Sequence, residues 1–244
     1  MSEVRVRALR VVITTRRNTR RRNDDAVGVS GWALHGDGPD VLDVLVPLPA
    51  TGLAAVAVAD GLGGHRDGDR AARIAVQLLS ASSTEVDASA AAAGRLVAAD
   101  AAVHAAATGE SAAMGCTAAL LVTDALGRAA VGNVGDVRAY RVVDGFAGEL
   151  TQDDRPDGAP TGVVLSCLGG RDPSPIAPHV SALGLGPGDR ILLCSDGVHD
   201  VLDEVALAGY AAGDATRAVT AVASAAVAAG SQDNVTAVLV DLFG

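Results

Sequence analysis

Lysine is absent from this chain, and aromatic residues are scarce. All 19 basic residues are arginine, and Phe, Trp and Tyr together make up 2% of the 244 residues. We interpret the missing lysine as a coding bias and not as a functional choice. Because 49% of the residues are apolar and Ala, Val and Leu dominate them, we expect a core of small aliphatic side chains in one domain, residues 1–244.

Cysteine and long apolar runs are also few. The three cysteines lie in apolar stretches without CxxC spacing, which indicates small buried side chains in a reducing compartment. The longest apolar run, around residues 218–230, is too short to span a bilayer, and the first residues carry charges where a signal peptide is apolar. We therefore expect a cytoplasmic protein that does not bind membranes.

Negative charge dominates the chain, but its distribution is uneven. The formal net charge is −10, although residues 1–22 carry eight arginines and one acid, which leaves −17 for the remainder. Because such an acidic surface repels polyanions, we exclude nucleic acid as a partner. An arginine-rich edge beside a metal-filled acidic pocket would instead suit a compact, multiply charged anion such as a phosphoryl group.

Apolar periodicity predicts strands that come in runs and helices that come in pairs. Residues 4–13 alternate Arg with apolar residues, as a half-buried strand does, and residues 26–34 are predicted to be the hairpin neighbour of that strand. The other predicted strands are 53–59, 116–123, 128–134, 137–143, 191–195 and 235–242, and the predicted helices are 69–80, 87–107, 215–229 and a short one from 198. Tight turns between the three strands from 116 to 143 predict an antiparallel meander. Without regular βαβ alternation, this order favours an α+β fold with antiparallel sheets.

Four short acidic motifs, far apart in the chain, stand where an apolar run ends in a turn. They are Asn23-Asp24-Asp25, Asp60-Gly61, the stretch from Ser195 to Asp200, and Asp233-Asn234. Each motif alone could be a simple turn, since Asp, Asn and Gly favour turns. If the fold gathers them, however, two carboxylates about 4 Å apart repel by roughly 4 kcal/mol at an effective dielectric near 20. The pattern therefore indicates a site for divalent metal ions.

In order and content these motifs resemble the metal-dependent type 2C (PPM) family of protein serine/threonine phosphatases, in its bacterial form. The resemblance covers nearly the whole chain. It rests on RRRNDD at 20–25, VAVADGLGGH at 56–65, MGCTAALLV at 114–122, GNVGDVRAY at 132–140, LTQDD at 150–154, ILLCSDGVHDVL at 191–202 and SQDNVTAVLV at 231–240. It implies one PPM-type catalytic domain, a four-layer α-β-β-α sandwich of two mostly antiparallel sheets flanked by helix pairs.

The resemblance also implies a centre of two Mn²⁺ or Mg²⁺ ions. By position, Asp60 would bridge both ions and the Gly61 carbonyl would join it, while Asp196 and Asp233 would complete the ligand set. Hard oxygen ligands without a Cys/His cluster favour these ions over zinc. A hydroxide bridging them would attack phosphorus in line, with Asp60 as a catalytic residue.

Further residues match supporting positions of the family pattern. Asp25, with Asp24 in the place of the usual Glu, would hold metal-bound waters. Asp136 and Asp200 match the residues that bind a third, weaker metal ion in many members. Arg20 matches the arginine that binds the phosphoryl group and offsets its charge during catalysis.

The chain departs from the family pattern at several positions beside these ligands. Leu62 stands where some members carry a His that could protonate the leaving group, His65 is interpreted as structural, and Asp154 replaces a usual His. The segment from Asp154 to Leu165 is short, so we expect the flap subdomain to be truncated or absent and a third metal to be held weakly. His199 lies between two predicted ligands, but adjacent helical positions point in different directions, so we do not assign it a metal.

Three functions remain open on these residues, and the first two belong to different classes. The first is hydrolysis of phosphoserine and phosphothreonine on proteins by a monomer that opposes a Ser/Thr kinase, which the full set of predicted inner ligands supports. The second is a catalytically weak regulator of the same fold that binds phosphoproteins, which the shortened flap and the substitutions support. A third possibility is an unrelated metal-dependent phosphohydrolase that acts on a small metabolite.

Overall fold

The computed structural model describes residues 5–62, 67–156, 158 and 162–244. Val4, predicted to begin the first strand, and His65 lie outside these residues. The described strands are β1 (Ala8–Arg16), β2 (Asp25–Val29), β3 (Trp32–His35), β4 (Leu42–Pro47), β5 (Ala54–Gly61), β6 (Gly115–Thr123), β7 (Arg128–Val134), β8 (Arg138–Val143), β9 (Phe146–Glu149), β10 (Leu168–Gly169), β11 (His179–Gly184), β12 (Arg190–Cys194) and β13 (Val235–Phe243). The described α-helices are α1 (Gly68–Leu79), α2 (Ala88–Ala106), α3 (Asp196–His199), α4 (Glu204–Tyr210) and α5 (Ala215–Ala228).

These strands form two sheets in which every pair of neighbours is antiparallel. The first sheet has the order β4-β1-β13-β12-β8-β9. The second has the order β11-β7-β6-β5-β2-β3, with the short β10 also paired to β6. The chain passes from one sheet to the other several times, which brings the ends of strands from both sheets to a common edge.

Three apolar clusters separate four layers. Valines and leucines from both sheets, such as Val56, Leu121 and Val238, fill the space between the sheets. An alanine-rich cluster joins the second sheet to α1 and α2, and a third cluster joins the first sheet to α3, α4 and α5. The α+β class and the α-β-β-α sandwich are therefore confirmed, as is the small aliphatic core.

Aspartates at the starts of three helices show why the helices begin where they do. The side chains of Asp87, Asp203 and Asp214 accept hydrogen bonds from backbone N–H groups in the first turns of α2, α4 and α5. Such caps satisfy donors that have no partner within the helix. The predicted helices 69–80, 87–107 and 215–229 agree with the observed ones to within one residue at each end.

Two predicted strand pairings are wrong, both because the segment that connects the two strands passes from one sheet to the other. Residues 26–34 are not a partner of β1, since they form the separate hairpin β2–β3 around Ser30 and Gly31, and β1 pairs with β4 and β13. Ser30 and Gly31 both have positive φ, as tight hairpin turns require. Similarly, β6 and β7 pair as predicted, but β8 belongs to the other sheet, so there is no three-stranded meander.

The crossover from β7 to β8 occurs at Gly135. This glycine has φ +88°, and a Cβ placed on it would lie 2.2 Å from Thr117 Cγ2. The chain therefore turns so closely against β6 that only glycine fits. This crossover delivers Asp136 to the edge that the two sheets share.

The connection from β9 to β12 differs from a simple loop. Residues 156–188 are rich in Pro and Gly, as loops are, yet they contain β10 and β11, and no helix occurs in the part of this connection that the structure describes. The predicted helix from residue 198 instead begins at Asp196 and ends at His199. Among the described helices, none combines the length and the apolar character needed to cross a membrane.

Candidate metal and phosphate site

A cavity of about 240 Å³ lies at the edge that both sheets share. The described residues that line it are Arg20, Asp24, Asp60, Gly61, Leu62, Thr117, Asp136, Gly162, Val164, Asp196, Asp233 and Asn234. The fold thus brings five of the seven predicted aspartates to one wall. Asp25 and Asp200 do not line this cavity.

Asp60 and Gly61 end strand β5 inside the second sheet. Asp60 lies directly opposite Asp25 in the β2–β5 ladder. The Gly61 N–H donates to the Asp24 carbonyl at 3.2 Å, and a Cβ on Gly61 would lie 2.4 Å from the Gly68 carbonyl carbon. The start of α1 is therefore packed onto the end of β5, and glycine is required there by contact.

Asp25 is buried behind the cavity wall. Its Oδ2 accepts hydrogen bonds from the Ser195 hydroxyl at 3.0 Å and the Thr236 hydroxyl at 2.5 Å, while its Oδ1 has no hydrogen-bond partner among the described residues. Burial raises the pKa of Asp25 to about 6, and the two hydroxyls oppose that rise. Asp24 lines the cavity instead. The predicted role of Asp25 in holding metal-bound waters stays a prediction.

Asp60 and Asp196 are the carboxyl groups of the site whose pKa values are raised most. Burial raises the pKa of Asp196 to about 7, and repulsion from Asp233 and Asp136 adds to the rise. Burial also raises the pKa of Asp60, followed by repulsion from Asp25 and Asp196. The buried Asp196 Oδ1 has no hydrogen-bond partner in the described part of the chain. Because a buried carboxylate without a partner is costly, this group requires a cation or a proton.

The donor set fits divalent metal ions such as Mg²⁺ or Mn²⁺. It consists of carboxylate oxygens with a nearby backbone carbonyl, which are the ligands that these ions prefer. Buried oxygens without partners on Asp25 and Asp196 are free to coordinate. The described residues contain no group of three or more His, Cys, Asp or Glu side chains already at metal-binding distances, so binding two ions would require the aspartates to draw together.

Arg20 lies at the mouth of the cavity and pairs with one of the predicted ligands. Its Nη2 donates to Asp233 Oδ2 at 2.5 Å, and its side chain is 47% exposed. The guanidinium is thus close enough to the aspartates to meet an anion that binds at their metal ions. An exposed arginine can also leave one carboxylate for another anion at little cost.

Asn234 holds the arginine-rich loop onto the site, a role that the sequence did not reveal. Its side-chain carbonyl accepts a hydrogen bond from the Asp24 N–H at 2.9 Å. Its side-chain amide donates to the carbonyls of Arg17 at 3.0 Å and Arg22 at 2.9 Å. The segment that carries Arg20 is therefore fastened at both ends to the start of β13.

Asp136 and Asp200, the predicted ligands of a third metal ion, are joined by an arginine. Arg155 donates from Nη1 and Nη2 to the two oxygens of Asp200 at 2.7 and 3.1 Å, and its Nε lies 3.2 Å from Asp136 Oδ2. These two residues therefore do not fit a third metal ion as they stand. Sequence reasoning missed Arg155, whose only signal was its place directly after LTQDD.

His199 supports the same corner through a hydrogen bond to the backbone. Burial lowers its pKa to about 4, so the ring is neutral near pH 7. Its Nε2 lies 2.8 Å from the carbonyl oxygen of Asp136, which requires the proton to be on Nε2. His199 thus holds the backbone of the β7–β8 crossover.

Comparison with known proteins agrees with this geometry. The family model for protein phosphatase 2C matches residues 48–240. This chain belongs to the protein phosphatase 2C family. The resemblance inferred from the sequence is thereby confirmed.

Individual relatives of this phosphatase 2C chain are bacterial. The serine/threonine protein phosphatase PstP of Mycobacterium tuberculosis is 29% identical over 217 residues, an alignment that covers 78% of this chain and 41% of PstP. The chain thus spans less than half the length of that curated relative.

Solved structures share the fold. The crystal structure of the PstP catalytic domain in complex with two manganese ions has a TM-score of 0.76 at 24% identity and covers 97% of this chain and 99% of that one. The S. agalactiae serine/threonine phosphatase has a TM-score of 0.76 at 20% identity, covering 96% and 99%. PppA of Pseudomonas aeruginosa has a TM-score of 0.70 at 24% identity, covering 98% and 100%.

Proposed function

We propose that residues 1–244 form one catalytic domain that hydrolyses phosphoserine and phosphothreonine on proteins with the help of two Mn²⁺ or Mg²⁺ ions. The observation that carries the proposal is the convergence of Asp24, Asp60, Asp136, Asp196 and Asp233 on one cavity with Arg20 at its mouth. Membership of the protein phosphatase 2C family and the two manganese ions of the PstP catalytic domain support it.

Asp60, Asp196, Asp233 and the Gly61 carbonyl would hold the ions. Bound there, the ions would lower the pKa of a coordinated water enough for it to attack phosphorus near neutral pH. Arg20 would leave Asp233 and bind the phosphoryl oxygens, since a guanidinium presents paired donors to a phosphate. Asp25, which lies opposite Asp60 in the β2–β5 ladder and is positioned by Ser195 and Thr236, would hold metal-bound waters.

We also propose the biological setting. The substrates would be proteins phosphorylated by a Ser/Thr kinase, and the phosphatase would act on them in the cytoplasm as a monomer. The similarity to PstP and to the S. agalactiae enzyme, both serine/threonine phosphatases, supports this substrate class.

A phosphothreonine peptide with Mn²⁺ tests the proposal. We expect the variant Asp60→Asn to lose on the order of 10²–10³-fold in turnover, because a neutral amide cannot draw the two ions together. The matched control is Asp144→Asn, which makes the same chemical change at an exposed turn residue with φ +47°, a conformation that Asn also tolerates.

The outcome also separates the alternatives. Metal-dependent turnover in the wild type and in Asp144→Asn, but not in Asp60→Asn, supports a phosphatase. Binding of the phosphopeptide without turnover in the wild type would instead show the catalytically weak regulator. Rapid hydrolysis of small phosphate esters with little action on the peptide would indicate a metabolite phosphohydrolase.

A further inference from the structure

The guanidinium of Arg155 occupies the space between Asp136 and Asp200. It makes two hydrogen bonds to Asp200, at 2.7 and 3.1 Å, and its Nε is 3.2 Å from Asp136 Oδ2. A divalent ion takes carboxylate oxygens at about 2.0–2.6 Å. Because both oxygens of Asp200 already face nitrogens of Arg155, an ion could bind these two residues only after the arginine had left.

The backbone around Arg155 is anchored. The neighbouring Asp154 donates its N–H to the Gly135 carbonyl at 2.9 Å and accepts the Gly135 N–H on its side chain at 2.9 Å. The Asp154 carboxylate also contacts His179 Nε2 at 2.8 Å. The segment is therefore bound directly to the crossover that carries Asp136. These contacts place Arg155 beside Asp136 and Asp200.

Asp153, two residues before Arg155, is also held by the fold. Asp153 accepts hydrogen bonds from Arg138 at 3.0 and 2.7 Å. The side chain of Arg155 itself is only 17% exposed. A half-buried, bidentate arginine pair differs from a fully exposed ion pair, which contributes little and rearranges easily.

We propose that Arg155 is a built-in cation that replaces the third metal ion, so that this phosphatase binds two Mn²⁺ ions and not three. The proposal rests on the two-metal function proposed above and concerns a separate corner of the site. A guanidinium stays charged at all physiological pH values, so it balances Asp136 and Asp200 without depending on the metal concentration. The positioning of the β7–β8 crossover would then need no third ion.

The test counts bound Mn²⁺ by calorimetric titration and by metal analysis after equilibrium dialysis. We expect two ions per chain in the wild type and three in Arg155→Met, which keeps the length of the side chain and removes its charge. The double variant Arg155→Met/Asp200→Asn should return to two. The control Arg141→Met removes an arginine that pairs with Asp189 at 2.7 Å, away from the acidic cavity, and should keep two ions.

Three ions in the wild type, or two in a folded Arg155→Met, would overturn the proposal. If Arg155→Met does not fold, Asp200→Asn alone decides: an unchanged count of two supports the built-in cation, and the loss of one ion refutes it. The count is independent of turnover. A wild type that binds two ions without hydrolysing the peptide would refute the phosphatase and leave the role of Arg155 supported.

Discussion

Two groups of aspartates, in and beside the cavity, differ in what balances their charge. Asp136 and Asp200 share the guanidinium of Arg155, whereas Asp60 and Asp196 have no ion pair with any cation in the described part of the chain. The difference therefore shows where this chain relies on an external cation and where it supplies its own.

The burial of the two groups explains why that division matters. Burial is the largest cause of the raised pKa of Asp136 as well, but Arg155 opposes the rise there. For Asp60 every leading cause acts in the same direction, towards a higher pKa. The uncompensated group, Asp60 and Asp196, must therefore hold protons or metal ions, whereas in the compensated group, Asp136 and Asp200, Arg155 supplies part of the balancing charge.

The largest expected effect is the pH dependence of stability without metal. Asp25 and Asp196 have pKa values raised to about 6 and about 7, so the folded chain keeps protons that the unfolded chain releases near pH 4. Their contribution to stability is thus present at low pH and is lost as pH rises towards 7. Since each pKa unit corresponds to about 1.4 kcal/mol, and 1 kcal/mol to about 2–4 °C in a chain of this size, we expect Tm to fall by roughly 10 °C between pH 5 and pH 8.

Thermal unfolding in chelator, followed by the same scan with Mn²⁺, measures this effect. The metal should abolish most of the fall, because it replaces the lost protons. Asp196→Asn should flatten the profile without metal, while the exposed Asp144→Asn should not. A profile that stays flat in the wild type would remove the distinction between the two groups of aspartates.

The sequence indicated the uncompensated Asp60 and Asp196 more directly than it indicated the cation that compensates Asp136 and Asp200. The signal for the first two lies in the residues next to them. Asp60 lies in the last two residues of strand β5, and Asp196 follows the end of strand β12 by two residues, so the strand pattern alone places both at a sheet edge. Arg155 lies 45 residues from Asp200 and reaches it only through the packing of a loop. The hydrophobic periodicity of the sequence carries no information about such a long-range contact.

The same distinction applies to the fold. Helix ends were predictable from caps and composition, because both act within a few residues. The assignment of β2 and β8 to a sheet was not predictable in this way. The turn at Gly135, for example, resembles a hairpin turn in sequence, but there the chain packs closely against Thr117 and crosses to the other sheet. The partner of a strand is decided by side chains far away in the chain.

A smaller effect is expected from filling the close contact that fixes the end of β5. In Gly61→Ala the new Cβ would lie 2.4 Å from the Gly68 carbonyl carbon and 2.8 Å from the Asp24 carbonyl oxygen, so the end of β5 must shift. We expect a loss of about 1–3 kcal/mol in the free energy of unfolding and weaker Mn²⁺ binding. Denaturant unfolding and calorimetric titration measure both.

Gly148→Ala is the matched control for that variant. Gly148 lies in the exposed strand β9, and nothing lies within 4 Å of a Cβ placed on it. It should retain both stability and Mn²⁺ affinity. Equal behaviour of the two alanine variants would mean that the uncompensated group is not held by the contact between β5 and α1.

The smallest expected effect comes from removing a hydroxyl that donates a hydrogen bond to Asp25. Thr236 donates to Asp25 at 2.5 Å and contacts the Thr15 hydroxyl at 2.7 Å, so Thr236→Val removes a buried donor with almost no change of shape. We expect a loss of about 1–2 kcal/mol near pH 7, because the carboxylate loses a hydrogen bond, and a smaller loss at pH 5, where Asp25 is largely protonated. Thr220→Val, whose hydroxyl donates to a carbonyl in its own helix α5, should change stability by less than about 0.5 kcal/mol at either pH. A loss for Thr236→Val that does not depend on pH would assign the Thr236 hydroxyl to packing and would leave the Ser195 hydroxyl as the described donor that compensates the charge of Asp25.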